Sequence, residues 1–332
     1  MTDVIWFVYL VVAIAFLFDF INGFHDASNS IATVVATGVL KPLTAVIWAA
    51  FFNFIAFLFF HLKVATTVGA GLVDPSIVTP ALIMAALLGA ISFNLITWYF
   101  GLPSSSSHSL IGGLMGAAIV QGGLGALTYS GIDKVLLFIV LSPVIGFTVS
   151  IILMRILNIL VKHPQSPKAI RASKIFQLIA SAFVSLGHGG NDAQKTMGII
   201  AIVLFSAHLT GPSFTVPFWV VVSCNLVMGL GTLAGGWRIV HTLGHKITPL
   251  TPMSGGCASA GAATTLLIAN HFGIPVSTTH TITGSITGVG SAKGSSGADW
   301  VVLKRIMVAW VFTIPCAGIV AALIMFILHR II

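Results

Sequence analysis

The chain has 332 residues, of which 57% are hydrophobic and only 7% charged, with a formal net charge of +8 and a mean hydropathy of +1.07. Soluble domains carry roughly 25% charged residues, so a soluble globular fold is excluded and a polytopic membrane protein is expected. Continuous apolar runs without period-two alternation point to an all-α membrane fold and not a barrel; the basic balance reads as membrane topology, not nucleic-acid binding.

The first apolar run, "VIWFVYLVVAIAFLF", follows a start without Lys or Arg and reads as a retained span instead of a cleaved signal peptide. It leads into "INGFHDASNSIA" from Ile21, which sets Asp26 and Asn29 in apolar surroundings, with Asp19 just upstream. A charged side chain at the centre of a span costs about 2.5–3.5 kcal/mol on insertion scales, and such residues are functional candidates by default. Asp26 with Asn29 offers oxygens for Na⁺, or a buried carboxyl that carries a proton. Asp19 has no acidic partner in the second half and suits capping or hydrogen bonding. His25 shuttles protons or is a satisfied buried histidine.

After a span containing Asn53 comes "FGLPSSSSHSLIGGLMG", Phe100 to Gly116. Gly101 and Pro103 end one half-helix, because Pro lacks an N–H and disfavours helical geometry in its predecessor. Ser104 to Ser107 then cap the next half-helix, giving the tip of a re-entrant hairpin. A helix N-terminus with free N–H groups, partial positive charge and rotatable hydroxyls is a site for a small oxyanion. Gly112 and Gly116 form a GxxxG packing surface.

Arg155, Lys162, Lys168, Arg171 and Lys174 surround the middle of the chain, with no acidic residue between Asp133 and Asp192, so this segment is expected to be cytoplasmic. Arg238, His241, His245 and Lys246 mark a second cytoplasmic segment. Between them, "GHGGNDAQKTMG" from Gly187 carries His188, Asn191, Asp192, Gln194 and Lys195. Lys195 either attracts an anion or pairs with Asp192 three residues earlier, and His188 has the same two readings as His25.

The last motif, "FGIPVSTTHTITGSITG" from Phe272 to Gly288, aligns without gaps on Phe100 to Gly116. Phe100, Gly101, Pro103, Ser105, His108, Gly112 and Gly116 have identical partners in Phe272, Gly273, Pro275, Ser277, His280, Gly284 and Gly288. Setting Asp26 on Asp192 pairs Gly23 with Gly189 and Asn29 with Lys195, and Asn53 matches Asn225. The chain therefore reads as a first repeat at 1–160, a basic linker at 161–174 and a second repeat at 175–332. Such duplication is typical of secondary transporters, where inverted repeats hold a substrate between broken helices; inversion requires an odd number of crossings per half. His108 and His280 suit hydrogen bonding that supports the hairpins, with no resident metal expected. Cys224, Cys257 and Cys316 lack metal or disulfide spacing and read as packing. A serine hydrolase is a remote alternative: serine and histidine are both duplicated and there is no GxSxG elbow, so an enzyme is not expected.

These motifs, together with the closing "AWVFTIP", closely resemble the inorganic phosphate transporter (PiT) family, in particular its bacterial low-affinity branch, over nearly the whole chain. The resemblance implies a phosphate symporter of inverted repeats in the cell membrane, a bacterial inner membrane, with phosphate and the bilayer as partners. By motif position it implies phosphate on Ser105, Ser106, Ser107, Ser277, Thr278 and Thr279. It places Asp26, Asn29, Asn191, Asp192 and Gln194 on phosphate or the coupling ion. We group Gln194 and Lys195 with the phosphate set and the other four with the coupling ion or proton. Asn53 and Asn225 stand where sodium-coupled animal members have Glu, which favours H⁺ over Na⁺ and leaves room for phosphate carried as a Mg²⁺ or other divalent-metal complex. No resident cofactor is implied. A sulfate permease of the same architecture is the rival, and a homo-oligomer or a cytoplasmic accessory protein stays open.

Overall fold

The computed structural model describes residues 2–292 and 294–331. Among these residues twelve α-helices account for nearly all regular structure. They are α1 (Thr2–Ala36), α2 (Pro42–Ile55), α3 (Lys63–Ala70), α4 (Pro80–Tyr99), α5 (Ser106–Gly122), α6 (Tyr129–Leu160), α7 (Pro167–Ser206), α8 (Phe218–Ala234), α9 (Trp237–His241), α10 (Pro252–Phe272), α11 (Thr278–Ser291) and α12 (Trp300–Ile331). A π turn at Thr242–Lys246 continues α9. Helices α2, α4, α7 and α10 each open on a proline after an extended N-cap residue, using the one place where a missing N–H costs nothing.

Helices α1, α4, α6, α7 and α12 are long and apolar enough to cross a membrane, and two bent pairs raise that number to seven: α2 with α3, bent by 83°, and α8 with α9, bent by 64°. Large apolar side chains such as Trp6, Ile159, Phe218 and Val311 are exposed on their outer faces, as lipid contact requires. The chain is an all-α, multi-pass membrane protein.

The halves correspond helix for helix, α1–α6 to α7–α12, each as a long helix, a broken helix, a hairpin and a long proline-containing helix. They run in opposite directions. Asp19 bonds to Thr196 and Thr37 to Gln177, so α1 lies antiparallel to α7. The final helix of each half packs on the hairpin of the other. A Cβ added at Gly112 or Gly116 would stand 2.4 Å from the Ile314 carbonyl oxygen or 2.0 Å from that of Gly318 on α12. At Gly284 and Gly288 the equivalent distances, to the Pro143 and Phe147 oxygens of α6, are 2.2 and 2.4 Å. The two GxxxG surfaces are therefore swapped helix crossings.

The segment expected as a linker at 161–174 is shorter in the structure. Ser166 accepts a hydrogen bond from the Ala169 amide at 3.3 Å and α7 starts at Pro167, so Lys168, Arg171 and Lys174 stand on its first turns. A Ser-Pro start outweighs the basic composition that suggested a loop. The buried apolar side chains form two clusters, one ending at Ile21 on α1 and beginning at Ala193 on α7, the other resuming at Ile31 and ending at Val184. A buried polar layer lies between them.

Replacing Gly116 by Ala forces apart the α5 and α12 backbones, whereas Gly125 has nothing within 4 Å of an added Cβ. Overpacking of this kind costs about 1–3 kcal/mol. Thermal unfolding of the detergent-solubilised protein is expected to show a clear drop for Gly116→Ala and none for Gly125→Ala.

Candidate functional site

The polar layer is assembled at the two hairpin elbows. Gly101 (φ +64°) and Gly273 (φ +68°) take the left-handed turn that ends the incoming helix. Ser105 and Ser277 then cap the outgoing helices, accepting from the His108 and His280 amides at 3.2 and 3.1 Å. Helix geometry leaves the next first-turn amides, at Ser106, Ser107, Thr278 and Thr279, outside the helical ladder. The tips face each other: the His108 and His280 rings meet edge to face at 4.6 Å, and His280 stacks on Trp310 at 3.7 Å. Trp310 Nε1 donates to the Pro103 carbonyl at 2.9 Å. His280 Nδ1 lies 3.5 Å from the Ile139 carbonyl, the acceptor for which Pro143 has no N–H.

Asp26 on α1 binds both tips. Its Oδ2 lies 2.5 Å from Ser106 Oγ, its Oδ1 accepts from Thr279 Oγ1 at 3.3 Å, and His25 Nδ1 stands 2.7 Å from the same Oδ1. Ser106 Oγ is also 2.6 Å from Asn22 Oδ1. Asn29 Nδ2 donates to Thr278 and Thr279, each at 3.0 Å, while its Oδ1 is buried with no partner among the described residues. Asp192 on α7 accepts from Thr278 Oγ1 at 2.9 Å and from Lys195 Nζ, with His188 Nε2 3.1 Å from its Oδ2. Lys195 Nζ also donates to Ser107 Oγ and, at 2.8 Å, to the Val276 carbonyl. Asp26, Asp192 and Lys195 are each at most 1% exposed. Of the two readings of Lys195, the pair with Asp192 forms, and its other donors reach the hairpin tips.

Two of the site candidates face elsewhere. Gln194 Oε1 accepts from the Val64 and Ala65 amides at 3.1 and 3.2 Å and Nε2 donates to the His61 carbonyl at 3.0 Å, capping the start of α3. Asn191 donates to Asn270 Oδ1 at 2.7 Å and to the Ile274 carbonyl at 3.1 Å, and accepts from the Val276 amide at 3.2 Å, so it pins the second elbow. Asp19 accepts from Thr196 at 2.8 Å, joining α1 to α7.

The site also contains residues to which the sequence reading gave no role or left a bland alternative. Asn22 and His188 each sit one helical turn before an aspartate, a spacing that reads directly as a shared helix face. Thr97, 3.2 Å from His25 Nε2, is one of three hydroxyls on α4 with Ser92 and Tyr99, and carries no such signal. Asn53 and Asn225 match in sequence but not in use: Asn53 reaches Thr232 and His188, while Asn225 bonds back to Val221 on its own helix. Ligand atoms of Asp26, His188 and Asp192 lie within 4.8 Å of one another, close enough to share a cation.

The sequence profile of the phosphate transporter family matches the chain over residues 22–173 and 162–321. A protein of Rhizobium meliloti described as a probable low-affinity inorganic phosphate transporter is 55% identical over 95% of this chain and 94% of its own length. One of the same description from Bacillus subtilis is 43% identical over 97% of both. A solved structure titled "The sodium-dependent phosphate transporter" superposes with a TM-score of 0.91 at 25% identity, covering 100% of each chain.

Lys195→Met leaves Asp192 without its ammonium. Removing one partner of a buried pair costs about 3–5 kcal/mol. Size-exclusion chromatography in detergent is expected to show most folded protein lost in Lys195→Met and regained when Asp192→Asn is added; equal loss in both would separate the effect from the pair.

Proposed function

We propose, for a chain that belongs to the phosphate transporter family, a symporter that brings inorganic phosphate into a bacterial cell together with protons. The observation that carries this reading is the closure of the hairpin tips on the two aspartates: Ser106 and Thr279 on Asp26, and Thr278, beside Lys195 of α7, on Asp192. The hydroxyls of Ser106, Ser107, Thr278 and Thr279, which a tetrahedral oxyanion would use, are each engaged here by a carboxylate or a carbonyl. Phosphate replaces those acceptors, taking hydrogen bonds from Ser106, Ser107, Thr278, Thr279 and Lys195 and from the first-turn amides of α5 and α11. Ser105 and Ser277 hold the tips as caps, and Asn191 and Gln194 hold the elbow and the broken helix beside them.

The same geometry supports the coupling. Two like charges 4 Å apart repel by about 4 kcal/mol at an effective dielectric constant of 20, so phosphate binds beside Asp26 and Asp192 after negative charge there has been reduced. A proton does this without occupying space. With a proton on Asp26 Oδ2, Asp26 donates to Ser106 and Ser106 to Asn22, which matches the two short contacts. His25 and His188 lie against the two carboxylates as exchange partners for that proton. A sodium site is built from oxygens, and here an ammonium and two imidazoles take up part of the carboxylate surface. Where phosphate travels as a metal complex, Asp26, His188 and Asp192 are the group that meets the cargo cation. Phosphate keeps a proton to offer an acceptor such as Asn29 Oδ1 and sulfate has none, which favours phosphate over sulfate. The face where α6 ends and α7 begins is cytoplasmic by its basic residues.

Uptake of ³²P-phosphate into proteoliposomes is expected under an imposed proton gradient and not under a sodium gradient alone, with competition by arsenate and little by sulfate. Repeating it with and without Mg²⁺ tests the metal complex. Uptake driven by sodium alone would overturn the proton reading, and dominant competition by sulfate would overturn phosphate as the substrate.

Asp26→Asn is expected to lower concentrative uptake at least about tenfold, the loss of some 1.4 kcal/mol of coupling, while membrane-inserted protein stays near the wild-type amount. Wild-type accumulation by Asp26→Asn would remove Asp26 from the coupling step.

A further inference from the structure

Outside the central site, one pattern of contacts is repeated in both halves. At the start of α9, Arg238 donates to the Tyr99 carbonyl at the end of α4, and one turn later Thr242 Oγ1 donates to the Gly101 carbonyl at 3.0 Å. At the start of α3, Lys63 Nζ donates to the His271 carbonyl at the end of α10 at 2.9 Å, and one turn later Thr67 Oγ1 donates to the Gly273 carbonyl at 2.8 Å. Tyr99 and His271, like Gly101 and Gly273, are equivalent positions of the two hairpins. In each half, a cation and a threonine on the short arm of the broken helix grip the elbow of the hairpin belonging to the other half.

The two grips lie on opposite sides of the site. Gly236 packs against the His25 carbonyl and Gly244 against that of Ala32, so α9 and its π turn run from Asp26 toward the face where α7 begins. Gly198 packs on the Ala65 carbonyl, which places α3 beyond Asp192 toward the other face. Each grip borders a cavity. One, of about 480 Å³, is lined by Arg238, His241, Lys246 and the rings of Tyr99 and Trp237; the other, of about 340 Å³, by His61, Lys63, His271 and Phe59. No carboxylate lines either cavity among the described residues. Both collect positive charge whose hydrogen-bond acceptor at the elbow is a neutral carbonyl, and the Arg238 guanidinium also lies 5.1 Å from the Trp98 and Tyr99 ring centroids.

We propose that Arg238 with Thr242, and Lys63 with Thr67, are a matched pair of anion-operated clamps, each of which receives a phosphate-type oxyanion in its cavity and in doing so releases one hairpin elbow. This rests on the transport reading above. A charged oxyanion is a stronger partner for guanidinium or ammonium than a peptide carbonyl. An anion in the 480 Å³ cavity therefore draws Arg238 off Tyr99, leaves the first elbow with Thr242 and Trp310 as its side-chain hydrogen-bond donors, and loosens the tip bearing Ser106 and Ser107. The equivalent event at Lys63 loosens the tip bearing Thr278 and Thr279, which Thr67 and Asn191 then hold. With both clamps made, as here, neither face has access to the aspartates, and release of one opens one face.

The test is phosphate exchange by the full-length protein in oriented proteoliposomes, with phosphate varied on one face and saturating on the other. Arg238→Gln is expected to raise the half-saturating phosphate about tenfold, equivalent to about 1.4 kcal/mol, at the face where α7 begins and to leave the opposite face within about twofold. Lys63→Gln is expected to do the reverse, and Arg238→Lys to restore most of the affinity. Thr242→Val, which keeps every charge, is expected to speed exchange at unchanged half-saturation. Equal shifts at both faces, or none, would overturn the clamps. So would a shift that vanishes in pure phosphatidylcholine vesicles and returns with anionic phospholipid, since lipid headgroups would then be what the cations hold. A wild-type protein that exchanges no phosphate would sink the transport reading instead.

Discussion

Two helix N-termini set tip to tip inside a protein repel each other, because each carries about half a positive charge. Here α5 and α11 meet in this way with the Lys195 ammonium beside them, all away from water. Asp26 and Asp192 compensate that charge, and both lie on the long helices against which the hairpins close. The site's other contacts follow from this balance. The tip hydroxyls turn toward carboxylates, the carboxylates draw in His25 and His188, and the layer stays closed although it is polar throughout. Within the proposed function, an arrangement that needs negative charge at its centre accepts a different anion in the same place.

The hairpins must be held and yet be able to move. Lipid supplies no hydrophobic drive for helix association, so contact depends on close backbone approach at small residues. The glycines of α5 and α11 provide that approach along one face each, against the last helix of the opposite half. Within the proposed mechanism, a hairpin moves together with the helix swapped onto it. Close-packed interfaces of this kind switch between discrete arrangements and do not deform continuously.

Much of this was legible in the sequence because lipid makes polar residues informative. The serines after Gly101 and the threonines after Gly273 stand out only against apolar flanks; their gap-free alignment points to the hairpins and the halves, and setting Asp26 on Asp192 matches the aspartates. Other features depend on contacts between distant segments. Nothing local shows that Gln194 caps α3 or that Asn191 holds the second elbow, since an amide in a polar motif serves a ligand or a backbone equally well. The swap of α6 and α12 is likewise invisible: GxxxG marks a crossing but not the partner. The clamps were hidden for another reason. Lys63 and Arg238 lie outside the aligned motifs, and what they hold is carbonyl oxygen, which every residue has.

The departures from symmetry are the most specific part of the design. An identical pair of halves would place the same countercharge beside both aspartates, but Lys195 serves Asp192 while its counterpart Asn29 is neutral and bonds to Thr278 and Thr279. Asp192 thus has a fixed partner in every state in which α7 stays helical, because the two are one turn apart. Asp26 has hydroxyls and an imidazole. Within the proposed mechanism, a proton arriving to make room for phosphate gains most where no fixed cation already shares the carboxylate, which assigns the exchangeable charge to Asp26 and the permanent anion anchor to Lys195. Duplication supplies two equivalent tips that, in the proposed mechanism, surround the substrate, and one departure on α7, Lys195 in place of Asn29, gives the two carboxylates unequal partners.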